Sequence, residues 1–393
     1  MSKRSIISAA LLVSGTAIGA GMLALPVLTA QSGFWPGLMI FALCWLFMAC
    51  TGLLFLEVAL EMGRPANILS MAKHTLGVPG KAFSWVLYLF LFYAITVAYM
   101  AGGGEILATF SDGGIAHWQG ILLFVLLFAP CAYLGTSAVK RVNVVLMVGL
   151  IATYLIFVVT GAPHIQPERL TRTEWNASLI ALPVAFTAFG YQGIIPSLVV
   201  HMGQNAKKLR IAILLGSFLP FLVYAVWEAL VLGIVPLEGP GGLQHALQQG
   251  HTAVYPLRDL LQSPWLFTVG QAFAFFALTS SFLGVSLGLT DFLIDGFGCS
   301  HKGLPRFCVA LLVYLPPLAI TLTYPNIFLQ ALDYAGGFGA ALLLGLLPIA
   351  MVWANRYHKK RPSTHPLGGG RPLLIFLILV VLLDLAVELH KFF

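Results

Sequence analysis

Ser14-Gly15-Thr16-Ala17-Ile18-Gly19-Ala20-Gly21-Met22-Leu23-Ala24-Leu25-Pro26 lies inside the first long apolar segment of the chain. Glycines at 15, 19 and 21, followed by a proline at 26, suit the middle of this segment poorly to a continuous helix. In hydrocarbon every backbone N–H and C=O needs a partner, so unwinding at mid-depth is tolerated only where the freed groups line a cavity. There they can bind the carboxylate and ammonium of a small molecule, or an ion. Gly15 and Gly19 also form a small-xxx-small pair, the pattern of closely packed helices, and the segment by itself leaves both readings open.

Working outward, the remaining chain is of the same apolar kind. Of 393 residues, 59% are hydrophobic and 9% charged, which describes a polytopic membrane protein rather than a soluble domain. At about 20 apolar residues per span, eleven candidates follow: 5–29, 34–61, 82–110, 118–136, 142–161, 176–200, 209–235, 264–295, 305–322, 326–354 and 372–390. The first segment is longer than a signal-peptide core and lacks a small-x-small cleavage site, so it is expected to stay in the mature protein. Cys44, Cys50, Cys131, Cys299 and Cys308 lie in or beside apolar segments without metal-type spacing, and imply neither disulfides nor zinc.

Lys and Arg outnumber acids by 21 to 14, and their distribution speaks to topology. With a cytoplasmic N-terminus, Lys3, Arg4, Arg64, Lys73, Lys81, Lys140, Arg141, Lys207, Lys208, Arg210, Lys302, Arg306, Arg356, Lys359, Lys360, Arg361 and Arg371 fall inside. Arg169, Arg172, Arg258 and Lys391 fall outside. The positive-inside rule therefore predicts N-in and C-out. The excess charge is a topology signal rather than a partner-binding patch; the chain is expected to sit in the lipid bilayer, with neither nucleic acid nor an obligatory protein partner. The outer loops 162–175 and 236–263 are long, and the second holds a helix-like run over Leu243–Gln249 that reads either as a lid or as a plain connector.

The sixth segment repeats the grammar of the first in Ala185-Phe186-Thr187-Ala188-Phe189-Gly190-Tyr191-Gln192-Gly193-Ile194-Ile195-Pro196. Five helices separate the two breaks, and an odd offset inverts the second copy relative to the first. The expected fold is all-α and polytopic, with residues 1–161 as a first inverted repeat of five helices and 162–354 as the second. Residues 355–393 form a basic linker and an eleventh helix.

Gly15 to Pro26, the Phe189-Gly190-Tyr191-Gln192-Gly193 break and Leu278 to Asp291 in the eighth segment resemble the aromatic and hydroxy amino acid permeases. Within that family the sequence looks most like the bacterial tyrosine-specific permease type, and the similarity covers essentially the whole chain. The resemblance implies a LeuT-type fold, five plus five helices with helices 1 and 6 unwound, in a bacterial inner membrane. It also implies import of an aromatic L-amino acid by symport, usually driven by protons.

For such a substrate the amides near Ala20, Gly21 and Met22, at the start of a half-helix, suit the carboxylate. Carbonyls at Ala17, Ile18, Phe189 and Gly190 suit the ammonium, and Gly19 lies at the centre of the first break. Phe186, Phe189, Tyr191 and Gln192, with Tyr99 of the third segment, are candidates for an aromatic pocket with a polar end. Thr279, Ser280 and Ser281 form a hydroxyl cluster in the eighth segment. By resemblance to sodium symporters of this fold, Thr279 and Ser280 would join carbonyls of Thr16 and Gly19 around sodium. Intrahelical bonding of these hydroxyls is the plainer reading. Proton coupling needs a buried acid, and Glu57 and Glu228 are the first candidates, with Asp333 a candidate outer gate that lacks an arginine partner because Ala24 stands there. No cofactor is expected beyond the coupling ion.

Enzyme readings fare worse. Asp291 and Asp295 stand one turn apart as in membrane prenyltransferases, but a second such pair, Asp384 and Glu388, falls on the opposite side. No protease or esterase motif is present, and no repeated filter suggests a channel.

Overall fold

The computed structural model describes residues 3–62, 66–111, 114–257, 264–300, 302–360 and 367–391. Arg64, Arg258 and Arg361, counted above for topology, lie outside the described residues. Among the described residues, ten helices are long and apolar enough to cross a membrane, and the bent pair at the N-terminus, taken as one span, makes eleven.

Span 1 is Lys3–Ala17 followed by Gly21–Thr29, and the two halves meet at an angle of 58°. Pro26 sits within the second half rather than at the break, so the interruption falls on Ile18, Gly19 and Ala20. Spans 2 to 5 are Phe34–Glu61, Ile68–Phe110, His117–Leu134 and Thr136–Gly161. Span 3 starts earlier than expected because its first two turns form an arm, capped by reciprocal bonds between Asn67 and Ser70 and turned at Gly77 (φ 78°) before Pro79. A left-handed glycine next to Val-Pro reads as a loop in sequence, although both flanks are helical.

Span 6 is assembled from short pieces: a 3₁₀ turn at Trp175–Ala181, helix Leu182–Ala188, a break, a 3₁₀ turn at Gln192–Ile194 and helix Ile195–Met202. Spans 7, 8 and 9 are Ala206–Ile234, Pro264–Phe297 and Gly303–Thr323. Span 10 runs Phe328–His358 and is π-helical over Ala335–Leu346, and span 11 is Gly370–His390. Spans 10 and 6 are the innermost, with 78% and 67% of their central windows buried against 17% for span 5, whose Val144, Val145 and Val159 face outward.

Lipid tails are as apolar as leucine, so close packing of small residues, rather than hydrophobic burial, holds such helices together. The first half of span 1 lies on span 7 through Gly216, where a Cβ would stand 2.5 Å from the Ala10 carbonyl oxygen, and Ser14 donates to the Gly216 carbonyl at 2.7 Å. Gly15 is exposed, so Gly15 and Gly19 do not form a packing seam. The tightest approach joins the two innermost spans: a Cβ on Gly336 would lie 1.6 Å from the carbonyl oxygen of Pro183.

Contacts near the ends of the spans tie the loops to the bundle. On one side Gln166 donates to Gly233 (2.9 Å) and Thr252 meets Glu105, while on the other Arg356 pairs with Glu57 and Lys359 donates to His74 (2.6 Å). The Leu243–Gln249 helix forms as expected and ends at Gly250 (φ 71°), which is pressed against the Asn326 carbonyl.

Replacing Gly336 with Val is expected to stop spans 6 and 10 from packing. Size-exclusion chromatography of detergent-extracted protein should show aggregate, and a monodisperse G336V variant would show that this contact is dispensable.

Candidate functional site

The two breaks face one another across a cavity of about 140 Å³. Thr16, Ala17, Gly19, Ala20 and Gly21 line it from span 1, and Thr187, Ala188, Gly190, Tyr191 and Gln192 from span 6. Helices terminate here because each break leaves backbone groups without intrahelical partners. In span 1 the amides of Gly19, Ala20 and Gly21 donate to no backbone carbonyl among the described residues, and no side chain caps the second half-helix. The Met22 amide, by contrast, donates to the Gly19 carbonyl at 3.2 Å, which takes it out of the expected carboxylate site. Carbonyls of Ile18, Phe189 and Gly190 receive no backbone N–H among the described residues. The unpaired amides of Gly19, Ala20 and Gly21 and the unpaired carbonyl of Gly190 thus belong to residues that line the cavity, an arrangement suited to a zwitterion.

Small side chains set the spacing of the two breaks. A Cβ on Gly21 would stand 2.6 Å from the Ala188 Cβ, and one on Gly19 would stand 2.7 Å from the Ser281 hydroxyl. The Tyr99 hydroxyl stands on the same side, 3.4 Å from that Cβ position. It is therefore Ser281, rather than Thr279 or Ser280, that span 8 presents to the first break. Ser280 donates to the Ala277 carbonyl (3.1 Å) and Thr16 to the Leu12 carbonyl (2.8 Å), as membrane hydroxyls commonly do. Thr279 is buried and its hydroxyl has no partner among the described residues.

The aromatic lining differs from the expected one. Phe186 is stacked on Phe47 (centroids 4.8 Å apart), and Phe189 packs edge-on against Tyr224 (5.1 Å), so both serve the contacts of span 6 with its neighbours and neither lines the cavity. Ile18 and Met22 are likewise absent from the lining. Tyr191 and Gln192 do line it, yet their polar ends turn to span 2: the Tyr191 hydroxyl donates to the Met48 carbonyl (3.1 Å) and the Gln192 amide to Thr51 (3.0 Å). The Gln192 carbonyl in turn accepts from the Tyr191 amide at 2.9 Å. The ring surface comes instead from span 3, where Tyr88, Phe92, Ile95 and Tyr99 line one wall. Their spacing of four, three and four residues marks a single helical face, which is the sequence signal that could have found Tyr88 and Phe92. Tyr88 and Phe92 are stacked 4.1 Å apart.

Tyr224 of span 7 was missed altogether. Its hydroxyl lies 2.7 Å from the Ala17 carbonyl oxygen and 2.9 Å from that of Ala188, the last carbonyls of the two half-helices. A phenol has one proton to donate, so this single hydrogen is shared between the two breaks.

A larger vestibule of about 450 Å³ adjoins the cavity on the side of the basic loops, sharing Ile68, Tyr88 and Gly193 with it and bounded by Lys73, Lys81, Asp291 and Asp295. The opposite side is covered by the second long loop. Ala253 donates to the Leu23 carbonyl (2.9 Å), and the Thr252 hydroxyl donates to Glu105 (3.1 Å), which His251 also approaches at 3.5 Å. The described part of the loop is thus fastened to the second half of span 1 and to span 3.

The two carboxylates singled out as proton carriers sit apart from the cavity and from each other. Glu57 makes a two-point ion pair with Arg356, tying span 2 to the end of span 10. Glu228 is fully buried on span 7, where it meets the Thr29 hydroxyl at the end of span 1. Asp333 pairs with Lys391 instead of gating the cavity.

Changing Tyr224 to Phe leaves two buried carbonyls without their donor and is expected to lower unfolding stability by about 1–3 kcal/mol. Thermal unfolding of the purified protein checks this, and an unchanged midpoint would show that the phenol is not the cap.

The profile of the tryptophan/tyrosine permease family matches residues 2–387. "Tyrosine-specific transport system 2" of Haemophilus influenzae is 30% identical, with 98% of this chain and 96% of that protein covered. "Tryptophan-specific transport protein" of Pseudomonas aeruginosa is 32% identical over 95% of this chain and 92% of its own length. Among solved structures, MhsT in complex with L-phenylalanine aligns with a TM-score of 0.68 at 14% identity, covering 100% of this chain and 98% of that one. The manganese transporter of Eremococcus coleocola aligns with a TM-score of 0.64 at 15% identity, covering 98% of this chain and 86% of that one. The fold is accordingly the LeuT type, its relatives are permeases rather than enzymes, and the chain belongs to the tryptophan/tyrosine permease family.

Proposed function

We propose that this membrane transporter imports tyrosine across a bacterial inner membrane by proton symport and alternating access, with its N-terminus in the cytoplasm and its C-terminus outside. The observation that carries the reading is the cavity between two broken helices, lined by Gly19, Ala20 and Gly21 with free amides and by Gly190 with an unpaired carbonyl. A carboxylate is favoured at a half-helix N-terminus and an ammonium among carbonyls. The Tyr88 and Phe92 stack offers a face for a ring, and the Tyr99 and Ser281 hydroxyls, both near Gly19, offer partners for a phenol. That polar end favours tyrosine over tryptophan, since relatives specific for either are about equally similar to this chain. In this orientation the basic vestibule is the cytoplasmic exit and the lid closes the outside.

Proton coupling is supported by counting hydrogens at Glu228. The Thr29 hydroxyl has one proton but faces two acceptors, the Leu25 carbonyl (2.9 Å) and Glu228. Both contacts are hydrogen bonds only when Glu228 itself carries a proton. Glu57 is a poorer carrier because both of its oxygens are engaged by Arg356. The competing reading, sodium coupling, rests on the unpartnered Thr279 hydroxyl in span 8.

Labelled tyrosine uptake into proteoliposomes, with proton and sodium gradients imposed separately and excess tryptophan, phenylalanine or leucine as competitor, tests the reading. Accumulation is expected with the proton gradient alone and tyrosine as the preferred substrate. Gly21→Leu should insert normally and reduce uptake to the level of empty liposomes. Glu228→Gln should keep tyrosine exchange but lose accumulation. Dependence on sodium would shift coupling to Thr279, and absence of uptake under either gradient would refute the substrate class.

A further inference from the structure

Span 11 lies outside the two five-helix repeats, yet it carries two buried acids into the molecule. Asp384 and Glu388, one helical turn apart, are both 0% exposed and face span 10 near Asp333. Space for Glu388 exists because residue 337 is glycine: a Cβ there would stand 2.7 Å from the Glu388 Cγ. Lys391, at the end of span 11, reaches Asp333 Oδ2 at 2.5 Å and Glu388 Oε2 at 3.1 Å. Neither oxygen of Asp384 has a hydrogen-bond partner among the described residues, and the second oxygens of Asp333 and Glu388 also lack one.

Charge does not balance in this group. Three carboxylates share one ammonium, and the other titratable side chain within range of Asp384 is the neutral Cys44 thiol of span 2. The pieces of spans 6 and 10 that pack on span 11, Leu182–Ala188 and Leu347–Trp353, carry no titratable residue. An ionised carboxylate in such surroundings loses its hydration and gains like-charge repulsion, both of which favour the protonated acid. Lys391 keeps 29% of its side chain exposed, so the cluster has a way out to the aqueous phase on the lid side.

Span 10 links this cluster to the cavity. Leu332, the neighbour of Asp333, lines the cavity and accepts a hydrogen bond from Thr187 of span 6 at 3.1 Å. One turn further on, Gly336 is pressed on Pro183 of the same broken span.

We propose that Asp333, Asp384, Glu388 and Lys391 form a proton-binding site centred on Asp384, open to the outer side through Lys391 and coupled to broken span 6 through span 10. The site is separate from Glu228, which lies on span 7. Its role in transport rests on the symport reading above, whereas its proton occupancy does not.

Infrared difference spectroscopy of the full-length protein in lipid nanodiscs, titrated with pH, reads the C=O stretch of protonated carboxylic acids directly. Asp384→Asn is expected to remove one component that Glu228→Gln leaves in place. Lys391→Met removes the positive charge and should move the titration of that component up by about 1–3 pH units. In proteoliposomes D384N should bind tyrosine but equilibrate it rather than accumulate it under a proton gradient. Identical spectra for wild type and D384N would overturn the proposal. So would displacement of the component by sodium at constant pH, which would make the cluster a metal-cation site, and proton-driven accumulation by D384N would overturn its coupling to span 6. If D384N does not fold, the K391M shift decides: an unmoved titration refutes the site. Wild-type protein that takes up tyrosine with neither gradient would sink the symport reading while the infrared result still stands or falls alone.

Discussion

A helix interrupted inside hydrocarbon must find partners for its freed carbonyls, and the rest of this structure depends on how that demand is met. The Tyr224 hydroxyl stands between the two interruptions, within reach of Ala17 at the end of one half-helix and Ala188 at the end of the other, and shares its one proton between them. A buried polar group without a partner costs about 1–3 kcal/mol, so this side chain of span 7 ties the ends of the two half-helices to a common donor. The amides on the far side of the first break have no such cap, and the cavity opens beside them. The division is chemically sensible. Carbonyls at the ends of half-helices are fastened to protein, while donors at the start of the next half-helix stay available to a ligand.

Around this centre the molecule is unequal on its two faces. A vestibule leads in from the basic loops, and the other face is closed by the 243–257 segment lying on the second half of span 1. Span 10 stands between the two, packed through glycine against span 6 and against the appended span 11. Its long π-helical stretch occurs where it touches both, and wide turns of this kind are frequent at functional sites.

Much of this was legible in the sequence, for identifiable reasons. Glycine and proline placement located both breaks, because backbone chemistry is local. Apolar run lengths gave the spans. The roles of individual side chains were less legible, since they depend on partners far away in the chain. Gln192 looked like a ligand because an amide in a membrane needs a partner, but Thr51 and Met48 supply it. Glu57 looked like a proton carrier for the same kind of reason, and Arg356 neutralises it across 299 positions of sequence. Tyr224 gave no local signal at all. Phe186 and Phe189 sat beside the break in sequence and turned away from it in space, a matter of helical phase that a 3₁₀ turn and a break within one span scramble.

The lid reaches span 1 through a main-chain bond, from the Ala253 amide to the Leu23 carbonyl. Such a contact reads no side chain at either end. Nearly any residue could occupy either position and leave the seal intact, whereas one residue added or removed between Gly250 and Ala253 would carry the donor past its acceptor. The property of this loop open to evolutionary constraint is thus its count of residues, not its composition, and homologous lids can drift in sequence while keeping their reach.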